Sequence, residues 1–414
     1  MHVVDYWAGI PLCLAVSVYD AIRRRLAPRS DAGPQRMLLI ELSEMGSAVL
    51  AYPALEEAAA RLGPENVWFL IFERNREGVA VLDLIPDDHI LTVNDRSFAG
   101  FLASTLRALA ACRSKQIDTA IDLELFSRCT ALLSYLCGAR LRSGFSAPTS
   151  EGLYRGSFFT HPVPYSPHHH MTRAYLALVR APFGAGSTGG DLPEDPSAIA
   201  LPAFRPTPEV AERVDAVLTG VPRDRRLVFF NPDAGLLPLR AWPAQHFAAL
   251  AGQLLKAFPD VIVGVVGVER SRLLADEILA GLPADRALNL AGRTRTLFDL
   301  LEVLSRGSAL VTIDSGPAHF SGLTPIPRIV LFGPETPLLY RPAGARVDVA
   351  YANIPCSPCF SAANHRTSAC TDNQCLKQIS PDHVFGLVRE ILEPGARAVS
   401  IRRSEPTRAE LSGR

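Results

Sequence analysis

A 414-residue chain whose 42 Lys and Arg are balanced by 42 Asp and Glu has no overall field to draw it to nucleic acid. With 48% hydrophobic residues it is long enough for two domains with separate cores, and two domains imply a cleft. Cys13, Cys112, Cys129 and Cys137 are scattered among apolar neighbours, as buried reduced thiols are. The basic residues follow the first apolar run instead of preceding it, unlike a cleavable signal peptide, so the expected setting is a reducing cytoplasm.

Residues 1–30 form an apolar and basic segment. The run from Tyr6 to Tyr19 is too short to span a bilayer, is interrupted by Pro11, and leads into Arg23-Arg24-Arg25. Two readings fit it: a peripheral contact of residues 6–25 with the inner membrane face, arginines on anionic lipid, or a helix packed on the protein's own surface.

From 31 to 182 strands and helices alternate. Strands are expected at Met37 to Leu42, Val67 to Phe72, His89 to Val93 and Ile117 to Leu123, with helices at Ala48 to Arg61, Asn75 to Leu82, Phe101 to Ala111 and Ala131 to Cys137. This rhythm is that of βαβ units in a doubly wound, mostly parallel sheet. Gly, Pro and Ser thicken at 183–208, as in a linker. From 209 to 393 a second series follows, with strands at Leu227 to Phe230, Val261 to Val266, Ala287 to Leu290, Leu310 to Ile313 and Ile326 to Phe332, and a last helix at Pro381 to Leu392. The Arg-rich residues 394–414 read as a disordered tail.

The second series is organised around Leu310-Val311-Thr312-Ile313-Asp314-Ser315-Gly316-Pro317-Ala318-His319: a buried parallel strand, a tight turn, then a helix start. A helix N-terminus offers free N–H groups and the positive end of a dipole, which suits a phosphate or a sugar hydroxyl. The next strand ends in Gly333-Pro334-Glu335-Thr336-Pro337, so two neighbouring strands finish in loops on the edge where open α/β sheets bind ligands.

Four stretches in order, Ile40-Glu41-Leu42-Ser43-Glu44-Met45-Gly46-Ser47, Asn231-Pro232 ahead of Arg240-Ala241-Trp242-Pro243, Leu290-Ala291-Gly292, and Asp314 to His319, resemble glycosyltransferase family 9, the ADP-heptose:lipopolysaccharide heptosyltransferase group. The resemblance implies an α/β, GT-B architecture: two Rossmann-like doubly wound domains facing across a cleft, with a C-terminal crossover helix, the nucleotide sugar on the C-terminal domain and the acceptor on the N-terminal one. It also implies inverting transfer with no cofactor required.

Breaking a sugar–diphosphate bond leaves charge growing on the β-phosphate, which fixed cations and N–H donors must meet. Arg240 matches the family's basic position, where lysine is more usual, and an arginine can fork onto two phosphate oxygens. With it on the donor side stand Asn231, Ser315 and Gly316 as hydrogen-bonding groups, Asp314 as acceptor from sugar hydroxyls, and His319 as a brace for the diphosphate or the turn, or simply a core residue. Glu269, past a strand end, stands where a ribose hydroxyl is held in dinucleotide folds. Ser43, Gly46, Ser47 and Arg142, with Phe145, are expected on the acceptor side. The run His168-His169-His170 reads as surface or acceptor contact, not a metal site.

The family carries aspartate after the loop glycine, where this chain has Ser47, and serine cannot serve as a base at neutral pH. Three readings follow: Glu44 acts as base, Asp122 or Glu124 supplies it, or the protein binds without turnover. Glu41, inside the strand, is expected to point elsewhere.

Within residues 355–376, Cys356 and Cys359, then Cys370 and Cys375, give C-x2-C, ten residues and C-x4-C, a spacing that four thiolates can use to close around structural zinc or iron. Packing thiols or a disulfide are the alternatives, and in each case the loop is expected to lie away from the transfer chemistry. The leading expectation is transfer of a sugar, heptose by the resemblance, from an ADP-sugar to a lipid-linked, lipopolysaccharide-type acceptor. A protein acceptor, or a non-catalytic nucleotide-sugar-binding protein, are the other readings.

Overall fold

The computed structural model describes residues 5, 7–26, 32–147, 153–184, 192–235 and 237–393. Its β-branched and aromatic runs, such as Val67–Phe72, are buried along their whole length because helices cover both faces of a parallel sheet. β1 (Met37–Ile40), β2 (Val67–Phe72), β3 (Ile90–Val93), β4 (Thr119–Asp122), β5 (Leu141–Ser146) and β6 (His161–Pro164) lie in the order β3-β2-β1-β4-β5-β6. The second sheet comprises β7 (Arg226–Asn231), β8 (Val261–Val265), β9 (Ala287–Asn289), β10 (Ala309–Ile313), β11 (Arg328–Phe332) and β12 (Val347–Tyr351), in the order β12-β11-β10-β7-β8-β9. Strand order reverses between β1 and β4 and between β10 and β7. Those two switch points are where doubly wound sheets hold ligands.

The sequence reading left β5, β6 and β12 unassigned. β6 carries two prolines, which an edge position tolerates, β12 is an edge strand broken by an aspartate, and β5 holds Arg142, Ser143 and Gly144 in place of an apolar run. The helix after β10 is also shorter than expected, Gly316–Phe320, and passes at once into the 3-10 turn Ser321–Leu323.

An apolar cluster joins the lobes: Val49, Val79 and Leu82 from the first share it with Leu297, Leu301, Phe320 and Leu323 from the second. Two polar contacts reinforce it. Glu77 Oε2 accepts from the Leu297 amide at 2.6 Å, and His170 Nε2 donates to the Arg341 carbonyl at 2.7 Å. Of the linker, residues 192–207 run along the second lobe, where the Phe204 amide donates to Leu323 O and the Gly344 amide to Pro196 O. The last helix, Pro381–Leu392, stays with the second lobe within the described residues, burying Val384 and Val388 beside Leu250 and Leu254. The tail read at 394–414 lies outside the described residues.

The apolar N-terminal segment forms the helix Gly9–Leu26, packed on the helix Arg128–Leu136. Its buried stripe is Gly9, Cys13, Ser17 and Asp20, small or polar, while Leu12, Val18, Tyr19 and Ile22 face solvent. Asp20 is the tie: Arg142 Nη2 lies 3.2 Å and Arg24 Nε 2.5 Å from its carboxylate. Arg142 therefore does not face an acceptor. It is buried, with Nε donating to Phe158 O and Nη1 to Ala139 O, because β5 points it away from the cleft and under this helix. Phe145 is likewise buried, packed on Tyr165 and Tyr175. No helix among the described residues is long and apolar enough to cross a membrane.

Removing one partner of a buried ion pair strands the other. Asp20→Ala should lower the unfolding free energy by about 3 kcal/mol in urea denaturation, since Arg142 then stays buried without a counter-charge. A loss below about 0.5 kcal/mol, the level of an ordinary surface change, would mean the helix is not held there.

Candidate active site

The loops at the carboxyl ends of β1, β7, β10 and β11 meet across the cleft. Position 46 sets how closely. A Cβ there would stand 3.1 Å from His319 Cδ2 and 3.2 Å from Gly316 Cα, so glycine lets the loop Ser43–Ser47 rest on the turn after β10. Arg240, on the 3-10 turn Pro238–Arg240 that follows β7, reaches over the same turn. Its Nε is 3.5 Å from Asp314 Oδ2, and its Nη2 is 3.3 Å from Glu335 Oε1.

A second guanidinium converges on that oxygen. Arg366 Nε lies 3.0 Å from Glu335 Oε1, its Nη2 donates to the Tyr340 hydroxyl at 3.0 Å, and its Nη1 pairs with Glu44 Oε1 from the opposite lobe. Glu44 is held from its other side by Ser47, whose hydroxyl donates to Oε2 at 2.9 Å. The three regions that sequence singled out, the β1 loop, Arg240 and the Asp314 turn, thus form one site.

The site is under-satisfied. Arg240 Nε, Asp314 Oδ2, Glu335 Oε2 and His319 Nδ1 are all buried without a hydrogen-bond partner. Each such group costs on the order of 1–3 kcal/mol, and their gathering marks a place completed by something from outside. Charge points the same way. Burial pushes Glu335 up to about 8 against the pull of Arg240, and raises Asp314 as well. Burial draws Arg366 down to about 10, which still leaves it charged at neutral pH. Two guanidiniums with reluctant counter-ions suit an anion bearing more than one charge.

The remaining candidates take up distinct places. Asn231 is buried and its amide donates to Ser315 Oγ at 2.9 Å and to Thr312 Oγ1 at 3.0 Å, so it fixes the turn instead of facing the cleft. Ser315 makes no side-chain cap to the helix it begins. His319 is buried and neutral, burial taking it down to about 3. Glu269 lies after β8 over Gly292, which at φ +74° leaves room for its carboxylate.

Of the rival bases, Glu124 spends Oε1 on the Leu42 and Ser43 amides and the Ser43 hydroxyl, Ser43 itself being exposed on the loop. Asp122 is fully buried against Arg155, and burial lifts it to about 6. Glu41 is buried inside the strand, and burial, with Glu124 and Asp122 nearby, pushes it well above the usual carboxylate range. Glu44, a third exposed, is the loop carboxylate left open to the cleft.

Of the readings for the cysteine loop, reduced thiols is the one the structure matches, and only the loop's location departs from expectation. No group of three or more His, Cys, Asp or Glu among the described residues is placed to hold a metal ion, so the four thiols do not close into the tetrahedral set that their spacing allows. They are free: Cys356 is exposed on a turn, Cys370 donates to Asp372 O, and Cys375 is buried, its thiol raised by burial and by the three others nearby. Nor does the loop lie away from the site, since it delivers Arg366. Sequence reasoning missed Glu335 and Arg366. For Glu335 a signal existed, an acid at the end of the strand beside Asp314; for Arg366, on an irregular loop, none did.

The profile of glycosyltransferase family 9 (heptosyltransferase) matches residues 105–369. The chain belongs to glycosyltransferase family 9. Family 9 relatives include lipooligosaccharide heptosyltransferase 2 of Haemophilus influenzae, 28% identical over 37% of this chain and 46% of that one, and lipopolysaccharide heptosyltransferase 2 of Salmonella typhimurium, 30% identical over 40% and 47%. The chain thus spans about half the length of the curated relatives it matches. Among solved structures, E. coli ADP-heptose lps heptosyltransferase II superposes with a TM-score of 0.68 at 21% identity, covering 87% of this chain and all of that one. A family 9 protein from Veillonella parvula gives 0.66 at 18%, over 86% and 97%. These likenesses establish the GT-B fold.

In this family 9 chain the histidine run divides. His168 and His169 are exposed, while His170 is buried between the lobes, Nδ1 against Thr172 and Nε2 on Arg341 O, and burial lowers it to about 4. The folded chain refuses a proton that the unfolded chain accepts near 6.5, so this contribution to stability is complete above that pH and is lost as pH falls to about 4. His170→Gln should flatten the dependence of unfolding free energy on pH across that window by up to about 1.4 kcal/mol per unit, measured by urea titration at several pH values.

Proposed function

We propose that this chain moves heptose from ADP-heptose to a hydroxyl of a lipopolysaccharide-type or related surface-glycan acceptor, with inversion at the anomeric carbon. The convergence of Arg240 and Arg366 on one carboxylate oxygen, ringed by unpartnered buried polar atoms and facing Glu44, carries the reading. It is supported by relatives named as heptosyltransferases and by a structurally similar E. coli heptosyltransferase WaaC, solved with ADP and with ADP-2-deoxy-2-fluoro heptose.

In this reading the diphosphate lies on Arg240 over β7 and β10, and the nucleoside runs towards β8, where Glu269 takes the ribose. Two strand spacings, about 10 Å, separate the two ends. The acceptor hydroxyl gives its proton to Glu44 as its oxygen bonds to the anomeric carbon. The bond from that carbon to the diphosphate breaks, its electron pair stays on the β-phosphate oxygen, and Arg240 meets the charge. Ser47, too weak a base itself, orients the carboxylate through its hydroxyl. That bond argues against the reading of a binder that does not turn over.

Glu44→Gln should cut kcat about a hundredfold or more in a transfer assay with ADP-heptose, while ADP binding is retained. An unchanged rate places the base elsewhere, and offering lipid-linked core sugar beside polypeptide separates the two acceptor classes.

We also place the outer face of the helix Gly9–Leu26 on the membrane. Its buried stripe is small or polar while its large apolar side chains are exposed, unlike a helix serving only its own protein, and exposed Arg23 and Arg25 suit anionic headgroups. Val18→Asp with Ile22→Asp should weaken cosedimentation with vesicles of anionic phospholipid about tenfold or more. Wild-type chain that ignores such vesicles would end this assignment.

A further inference from the structure

Arg366 occupies an unusual backbone. His365 and Arg366 are successive left-handed residues, φ 51° and 54°, and neither is glycine. Each costs on the order of 1 kcal/mol, so the loop must be braced to keep them there. It is: the Arg366 amide donates to Ser361 O at 3.0 Å, Asn364 Nδ2 to Cys359 O at 2.8 Å, and the Cys359 and Phe360 amides both donate to Pro334 O, next to Glu335. The bracing aims the guanidinium into the cleft, where it touches both lobes.

Its position raises a chemical difficulty. With Oε1 paired to Arg366 and Oε2 accepting from Ser47, the Glu44 carboxylate as found has both oxygens engaged and none turned to an acceptor hydroxyl. The second carboxylate on Arg366 is no firm partner either, since Glu335 Oε1 is shared with Arg240 and burial disfavours its charged form. A diphosphate on Arg240 would bring several anionic oxygens to the point where both guanidiniums already converge, and a guanidinium binds such an oxygen pair through two parallel hydrogen bonds.

We infer that Arg366 exchanges Glu44 for the donor's diphosphate, so that filling the donor site is the event that frees the base. The inference rests on the transferase reading above and adds an order to it: donor first, acceptor deprotonation second. In the donor-free chain, the same pair keeps Glu44 quiet and holds the lobes together.

Calorimetric titration of the full-length chain with ADP tests this without any transfer assay. Glu44→Gln removes the competing carboxylate and should tighten ADP about fivefold, the size expected of a half-exposed ion pair. Arg366→Met should weaken ADP about tenfold while leaving adenosine unaffected, and Arg366→Lys should recover part of the loss. In the Arg366→Met background, Glu44→Gln should no longer tighten ADP. ADP affinity indifferent to Glu44→Gln in the otherwise unaltered chain, or tightened equally in the Arg366→Met background, overturns this inference alone. Absence of ADP binding to the wild-type chain overturns the transferase reading and this inference with it.

Discussion

Backbone meets backbone at one place between the lobes, where Gly46 lies against Gly316 and His319. That approach decides the rest. A side chain at 46 would crowd His319 and Gly316 and push back the loop from which Glu44 shares Arg366 with Glu335 and which roofs the β7 and β10 loops. The apolar cluster running through Val49, Val79, Leu297 and Phe320 supplies the adhesion behind the contact. Because it lies beneath the loops and not among them, the polar residues can remain incompletely satisfied in the structure without the lobes parting.

The charges are arranged by contrast in environment. Asp122 and Arg155, or Asp20 and Arg142, are buried as pairs and serve to fix strands and helices. Glu335 and Asp314 are buried too, and with the half-buried Arg240 and Arg366 they meet at 3.0 to 3.5 Å with several atoms left over. Structural arginines such as Arg155 and Arg328 also leave an Nε unpartnered, but only here do unpartnered acid and guanidinium atoms gather on one cleft-facing cluster among the described residues. Their looseness is what a site shaped for an absent multivalent anion looks like.

How far sequence could anticipate this depended on locality. Strands such as Val261–Val265 and Ala309–Ile313 announce themselves because central parallel strands are apolar on both faces, and the two switch points then follow from chain order. The edge strands escaped because edge position, a tertiary property, is what permits His161-Pro162-Val163-Pro164 to be a strand at all. At the site, motifs carried by one turn, Asp314 to His319 or Ser43 to Ser47, were legible. Arg142 was not, because its role depends on a helix more than a hundred residues earlier in the chain. Arg366 was not, because nothing local says that a cysteine-bearing loop will double back to the sheet edge.

Ser47 is where these strands of argument join. The resemblance puts an aspartate at this position, the first of the helix after β1; here it is a serine whose hydroxyl donates to Glu44, three residues back in the loop. Glu44 faces the opposite lobe, where Arg366 meets it. An unpaired carboxylate there would repel an arriving diphosphate. On the proposal made above, Arg366 answers that repulsion, pairing with Glu44 and standing where phosphate oxygens would draw it away. On the same proposal Ser47 and the arginine of the cysteine loop belong together, the one orienting the carboxylate and the other neutralising it.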